Sequence, residues 1–189
     1  MSAARFKAEP LGTPAAADRV DDAHLKLVNE TKVRDRIVET AWALYKRRFK
    51  IPYSQARPSI LVKLLALIFR VTRSDCSGFV AACMYRAGVL PHVDWRYTNT
   101  WVQIKLGRWV GLHHAKPGDV VFYGAVYQRK EDAPADRRWR LVSFGRVWHD
   151  PTHVALYVGD GKVVSDGHYP IGVFDVDYRP DRLQVRSFV

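Results

Sequence analysis

One short run in the chain is built for nucleophilic chemistry: Ser74-Asp75-Cys76-Ser77-Gly78-Phe79-Val80. Ser74 or Asp75 reads as a helix cap, which puts Cys76 in the first helical turn. Unpaired backbone N–H groups and the helix dipole favour an anion there. A thiol in such a place is expected to lose its proton more readily than a free one, and Ser77 and Gly78 leave room for a substrate. A thiolate nucleophile needs a base, and the base needs a group that orients it. His153 opens the run His153-Val154-Ala155-Leu156-Tyr157-Val158-Gly159, whose alternation predicts a strand with His153, Ala155 and Tyr157 on one face. Facing the helix layer, an imidazole at a strand start can meet a thiolate at a helix start. The turn Asp160-Gly161 brings the next strand back antiparallel, so its end, Ser165-Asp166-Gly167-His168, returns beside His153. Asp166 or His168 is then expected to accept the Nδ1 hydrogen bond and select the tautomer.

The elements that must position these groups follow from hydrophobic period. Residues 1–22 carry no apolar period and read as a flexible arm, leaving 23–189 as a single domain. Over 29–48, Val33, Ile37, Val38, Ala41, Leu44 and Tyr45 form one helical stripe, with Arg34, Arg36, Glu39, Lys46 and Arg47 expected on a solvated face. A second helix is predicted from Ser74 or Asp75 to about Ala87, stopped by Gly88. Its buried stripe is Phe79, Val80, Cys83, Met84 and Ala87, so Cys83 reads as an inert core residue. Residues 89–115 read as a long loop or a region of short elements, dense in Trp and Tyr. Strands are expected at 119–127, 139–147, 152–159, 162–165, 172–178 and 183–189, with an exposed hairpin tip at 129–138 inside a long insertion around 124–150. Helices first and an antiparallel meander after them make an α+β domain, with the helices on one side of the sheet.

The blocks Asp75-Cys76-Ser77-Gly78-Phe79-Val80, Lys116-Pro117-Gly118-Asp119-Val120-Val121-Phe122-Tyr123 and His153 to Gly161 together resemble the NlpC/P60 cysteine peptidases. The resemblance covers about 31–178. It implies a papain-like core and hydrolysis of amide bonds in bacterial peptidoglycan stem peptides. It also implies Cys76 as nucleophile, His153 as base, and Tyr53 of Pro52-Tyr53 as an oxyanion or substrate contact. Asp75 and Ser77 stand where the family often contacts the stem peptide's free amine. The third catalytic position, usually His, aligns to Asp166, with His168 and Ser165 as alternatives. The fragments Tyr53-Ser54-Gln55, Tyr97-Thr98-Asn99-Thr100 and Val163-Val164-Ser165-Asp166-Gly167 look most like phage-borne peptidases of actinobacterial viruses. Virion or tail proteins are then candidate partners. The 61–71 apolar run replaces the glycine pair usual between the Pro-Tyr and the cysteine.

Composition bounds the alternatives. The 189 residues can bury roughly 70% of the unfolded surface, enough for a core without metal or disulfide staples. Cys76 and Cys83 would lie roughly 10 Å apart along a helix, too far to bridge. No apolar N-terminal run reads as a secretory signal, and the 61–71 run, broken by Lys63 and Arg70, is too short to span a membrane. With no signal, action at the cell wall implies delivery by a holin, a virion or another export route. The unusual number is a net charge of +11. It admits nucleic acid, acidic membrane or anionic wall polymers as partners. The cation- and aromatic-rich stretch Trp95, Arg96, Tyr97, Trp101, Lys105, Arg108 and Trp109 could stack bases or sugars, but no nucleic-acid motif accompanies it. A zinc amidase drawing on His113, His114, His149, His153, His168 or Cys76 fits poorly, because Pro151 argues against a helix between His149 and His153, four apart, and a strand gives that pair no usual zinc geometry. No cofactor and no metal are expected. A catalytically weak wall-binding module, or a basic nucleic-acid-binding protein, is the alternative to an enzyme.

Overall fold

The computed structural model describes residues 15–54, 74–89, 99–167 and 170–189, with side chains from Leu27 onward in the first of these. The 61–71 run, Trp95, Arg96, Tyr97 and His168 lie outside the described residues. Helix α1 (Ala15–Lys46) leads into a 3-10 turn at Arg48–Lys50. Helices α2 (Cys76–Arg86) and α3 (Thr100–Gln103) follow. The strands are β1 (Arg108–Val110), β2 (Val120–Tyr127), β3 (Val142–Phe144), β4 (Val147–Gly159), β5 (Lys162–Ser165), β6 (Gly172–Asp175) and β7 (Arg182–Ser187). All pairings are antiparallel, in the order β1-β7-β2-β4-β5-β6, with β3 added on β4. The class is therefore α+β, as expected, but the sheet is not a plain meander. The last strand returns to lie between β1 and β2.

Helix α1 starts at Ala15, inside the stretch read as an arm. Ala-rich sequence is a strong helix former even without an apolar stripe, and period alone does not see it. The stripe itself behaves as predicted: Ile37, Ala41 and Leu44 are fully buried. The solvated face does not hold throughout. Arg34 donates to Asp119 Oδ1 (2.8 Å), to Ser187 Oγ (2.7 Å) and to the Pro117 carbonyl (3.1 Å). Asp119 is buried, and its second oxygen closes the Lys116–Asp119 turn by accepting from the Lys116 N–H (2.8 Å). Gly118 holds that turn at φ +91° with Arg34 packed against it, so the Lys-Pro-Gly-Asp block is the joint between α1 and the sheet. A buried carboxylate needs such a partner, which is why this one arginine leaves the solvent.

The expected 139–147 strand is three elements. A 3-10 segment (Ala135–Arg140) gives way to β3, and a turn with Gly145 at φ +66° starts β4 at Val147. Two apolar layers flank the sheet. Val154, Leu156 and Val164 pack with Phe79, Val80, Cys83, Met84 and α1. Tyr123, Ala155, Val163 and Val185 pack on the opposite face.

Candidate active site

Asp75 caps α2 as predicted: its Oδ1 accepts from the Gly78 N–H (2.6 Å) and from Ser77 Oγ (2.9 Å). This starts the helix at Cys76 and leaves the N–H groups of its first turn without intrahelical acceptors. Tyr53 reaches the same place because Pro52–Ser54 pairs with Ser74. Ser54 N–H donates to the Ser74 carbonyl (2.9 Å) and Ser74 N–H to the Pro52 carbonyl (3.3 Å). Cys76, Tyr53, Asp75, Ser77 and His153 all line one open cleft of about 960 Å³. The nucleophile candidate sits at its wall, 8% exposed, with Thr100 Oγ1 4.0 Å from its sulfur and backbone hydrogen bonding from Val154, the residue after His153.

The thiol is not acidified. Burial, reinforced by the Asp75 charge, pushes Cys76 up to about 11, and hydrogen bonding from Val154, Thr100 and Ser77 only partly opposes this. The dipole at the helix start, which led to the expectation of an acidic thiol, is outweighed here by the cost of burying an anion.

His153 is 5% exposed and pairs across the sheet with Tyr123. It therefore lies on the face of Ala155 and Val163, not on the helix-covered face of Val154, and because β4 already begins at Val147 it lines the cleft with Cys76 from the middle of the strand, not from the expected strand start. A bulge sits at this point. Tyr123 pairs with His153 but Gly124 pairs with Pro151, so Thr152 is the extra residue. Gly124, at φ +153°, lets β2 approach so closely that a Cβ there would stand 2.0 Å from the Asp150 carbonyl oxygen. Bulges of this kind re-aim side chains beside reactive centres.

One side chain on the imidazole is Ser165, whose Oγ lies 2.7 Å from His153 Nε2 and 3.2 Å from the Val154 carbonyl oxygen. The Tyr178 ring stands edge-on to the same imidazole at 6.3 Å. Asp166 points elsewhere: it accepts a hydrogen bond from Ser74 Oγ, and its Oδ1 is buried with no partner among the described residues. Burial pushes its carboxyl up to about 6, with the Ser74 hydrogen bond opposing and the Asp75 charge adding. Strand alternation accounts for the exchange. Ser165 shares the face of Val163 and His153; Asp166, one residue on, turns to the helix side and meets Ser74. The Ser165 contact is to Nε2 rather than to Nδ1.

The architecture matches solved structures of NlpC/P60 proteins. The peptidoglycan hydrolase RipB from Mycobacterium tuberculosis is 20% identical over 95% of this chain and 73% of its own, with a TM-score of 0.54. The P60 domain of an antigen from M. avium subspecies paratuberculosis is 19% identical over 82% and 97%, at 0.51. A NlpC/P60 family protein from Bacillus cereus is 20% identical over 82%, at 0.50.

The chain has the NlpC/P60 fold.

It spans 40% of the length of the Bacillus cereus protein and 44% of that of NlpC1 from Trichomonas vaginalis. No family model and no curated protein matches the sequence itself.

Within this NlpC/P60 fold several cleft residues carry no local sequence signal. Thr100, Arg140, Thr152, Tyr178 and Arg179 line the cleft and are spread along the chain, so only the fold assembles them. Trp101 lines it too, while Trp109 is exposed elsewhere. Among the described residues no three His, Cys, Asp or Glu side chains gather as a metal site, and no helix is long and apolar enough to cross a membrane.

Proposed function

We propose that this chain is a peptidoglycan hydrolase of the cysteine-peptidase type, cutting an amide bond of the stem peptide. The observation that carries the reading is the Ser165–His153 contact in the cleft that Cys76 lines. Ser165 has one proton, and in this reading it goes to the Val154 carbonyl, 3.2 Å away. The hydroxyl then accepts from His153 Nε2, and the mechanism assigns Nδ1 as the basic nitrogen. Because the Cys76 thiol is held protonated at neutral pH, Nδ1 takes its proton as sulfur attacks the amide carbonyl, rather than a thiolate standing ready. Tyr53 and the first-turn N–H groups of α2 face the developing oxyanion. The imidazolium then protonates the leaving amine as the C–N bond breaks and a thioester forms. Water, losing its proton to His153, attacks that thioester and releases the acid and the thiol. Asp181, held below the usual carboxylate range by Arg179 above all and to a smaller degree by His153, supports the imidazolium.

Ser165 is the orienting group in this reading. Asp75 and Ser77 are substrate contacts. The +11 charge supplies salt-dependent attraction to an acidic wall. A phage-borne setting is the one favoured by the fragments around Tyr53, Asn99 and Ser165. The test is digestion of purified peptidoglycan with mass spectrometry of the new termini. New amine and carboxyl ends within the stem peptide, absent with Cys76→Ala, are expected. Cleavage retained by that variant, or none by the unmodified chain, overturns the reading.

A further inference from the structure

The cleft wall next to His153 carries two guanidinium groups that are already held in place. Arg140 donates from Nε to Asp150 Oδ1 (2.7 Å) and from Nη2 to Asp150 Oδ2 (3.1 Å). Asp150 is fully buried, and Arg137 stands 3.6 Å from it as well. That trio has one positive charge in excess. Arg179 donates from Nε and Nη2 to Asp181 (2.8 and 2.5 Å), and Nη2 also reaches Thr152 Oγ1 (3.4 Å). Both arginines thus use the same edge to grip a carboxylate of the chain, Asp150 fully buried and Asp181 partly exposed. Among the described residues no hydrogen bond uses Nη1 of either, and both line the cleft with Thr152.

The Arg140 side is delivered by the segment between β2 and β3. Arg138 ties that segment to itself through the carbonyls of Ala133 (3.0 Å) and Glu131 (2.7 Å). Trp139, 69% exposed, stands edge-on to the cleft residue Trp101 at 5.1 Å. Leu141 is buried just behind. A guanidinium fixed in this way gives up little further freedom on binding, and its remaining N–H groups match a carboxylate in charge and shape.

We infer that Arg140 and Arg179 form an anion subsite that selects peptides carrying a free carboxylate near the bond addressed by Cys76. The chain is therefore selective for stem peptides whose carboxylates are unamidated. The inference rests on the peptidase reading only for where the scissile bond lies. Binding of the anion does not depend on cleavage.

The experiment is calorimetric titration of the full Cys76→Ala chain with a synthetic stem tripeptide. The peptide is used with its carboxylates free and with them amidated. The free form is expected to bind roughly tenfold or more tightly, the size of a charge-assisted hydrogen bond or two. In the same background, Arg179→Gln and the double change Arg140→Gln/Asp150→Asn are each expected to cut that preference at least threefold while leaving the amidated peptide's affinity alone. The double change removes both charges, so no buried carboxylate is stranded. Arg179 is partly exposed, so its variant keeps the test available whether or not the double variant folds. Equal affinity for the two peptides, no binding of either at millimolar concentration, or an intact preference in both variants overturns the inference. Wall digestion by the unmodified chain reports separately. A chain that cleaves without the preference keeps the peptidase reading and loses the subsite, and the converse result does the reverse.

Discussion

Cys76 and Cys83 lie toward the two ends of the same helix, both free and both buried. Burial raises both thiols, Cys83 the more strongly. What separates them is what lies beyond the sulfur. Cys83 is 0% exposed among Phe79, Met84 and the helix-side core. Cys76 looks onto the cleft, with a hydroxyl and the backbone next to His153 beside it. Position at a helix start is therefore not enough to make a reactive thiol. The dipole loses to desolvation, and in the proposed mechanism reactivity depends on a base, His153, and on a path for substrate, the cleft that both residues line.

Removing each sulfur in turn separates the two cysteines most strongly. Cys76→Ala is expected to abolish wall cleavage, by more than about 1,000-fold, with the melting temperature nearly unchanged. Cys83→Ala is expected to keep the rate within about threefold and to cost about 1 kcal/mol of stability as its sulfur leaves a small void. Turbidity loss of a wall suspension, beside thermal melts, checks both. A large effect from Cys83→Ala on rate would erase the distinction.

The next effect concerns the proposed base. Gly167 lies over the imidazole so closely that a Cβ would stand 2.7 Å from His153 Cε1. Gly167→Ala must push the ring, and turnover of a stem-peptide substrate is expected to fall about a hundredfold or more. Ser165→Ala is expected to slow turnover roughly 10–100-fold, while Asp166→Asn changes it only a few-fold. The reverse ranking would return Asp166 to the imidazole.

A smaller effect reads the thiols directly. With Cys76 held near 11, its alkylation by iodoacetamide at pH 7 is expected to be roughly 30–100-fold slower than that of a free thiol, rising with pH, and Cys83 is to react only on unfolding. A fast neutral reaction at Cys76 would mean that a ready-made thiolate exists after all.

The smallest effect belongs to Asp166. Its folded pKa, about 6, lies above the unfolded carboxyl value. The contribution to stability is therefore complete below about pH 4 and is lost as the pH rises through about 6. Asp166→Asn, which mimics the protonated carboxyl, is expected to flatten that part of the profile in denaturant titrations from about pH 4 to 7. An unchanged slope would mean that the carboxylate is not buried as described.

Much of the site was readable beforehand because its signals are local. A cap at Asp75, a stripe ending at Gly88 and an alternating strand after His153 each depend on neighbours within one or two turns. These place Cys76 at a helix start, Cys83 in a core and His153 on a strand, although that strand begins at Val147 and His153 stands at its middle rather than its start. The failures lie mostly where a distant element competes with a local rule. Arg34 looked solvated until Asp119 drew it inward. The 139–147 strand broke because the chain turns at Gly145 to make β3 and β4. Asp166 outranked Ser165 on chemistry, yet a one-residue step along a strand sends consecutive side chains to opposite faces.

Period, capping and composition are properties of nearby residues, so the class of fold, the nucleophile and base candidates and the net charge were all written in the chain itself. Which side chain touches the imidazole, how far the thiol's pKa moves and which arginines reach the cleft came only with the packed molecule. Those depend on which strand face a residue takes and how much water is excluded around it, and both are set by the packing of segments far apart in the chain.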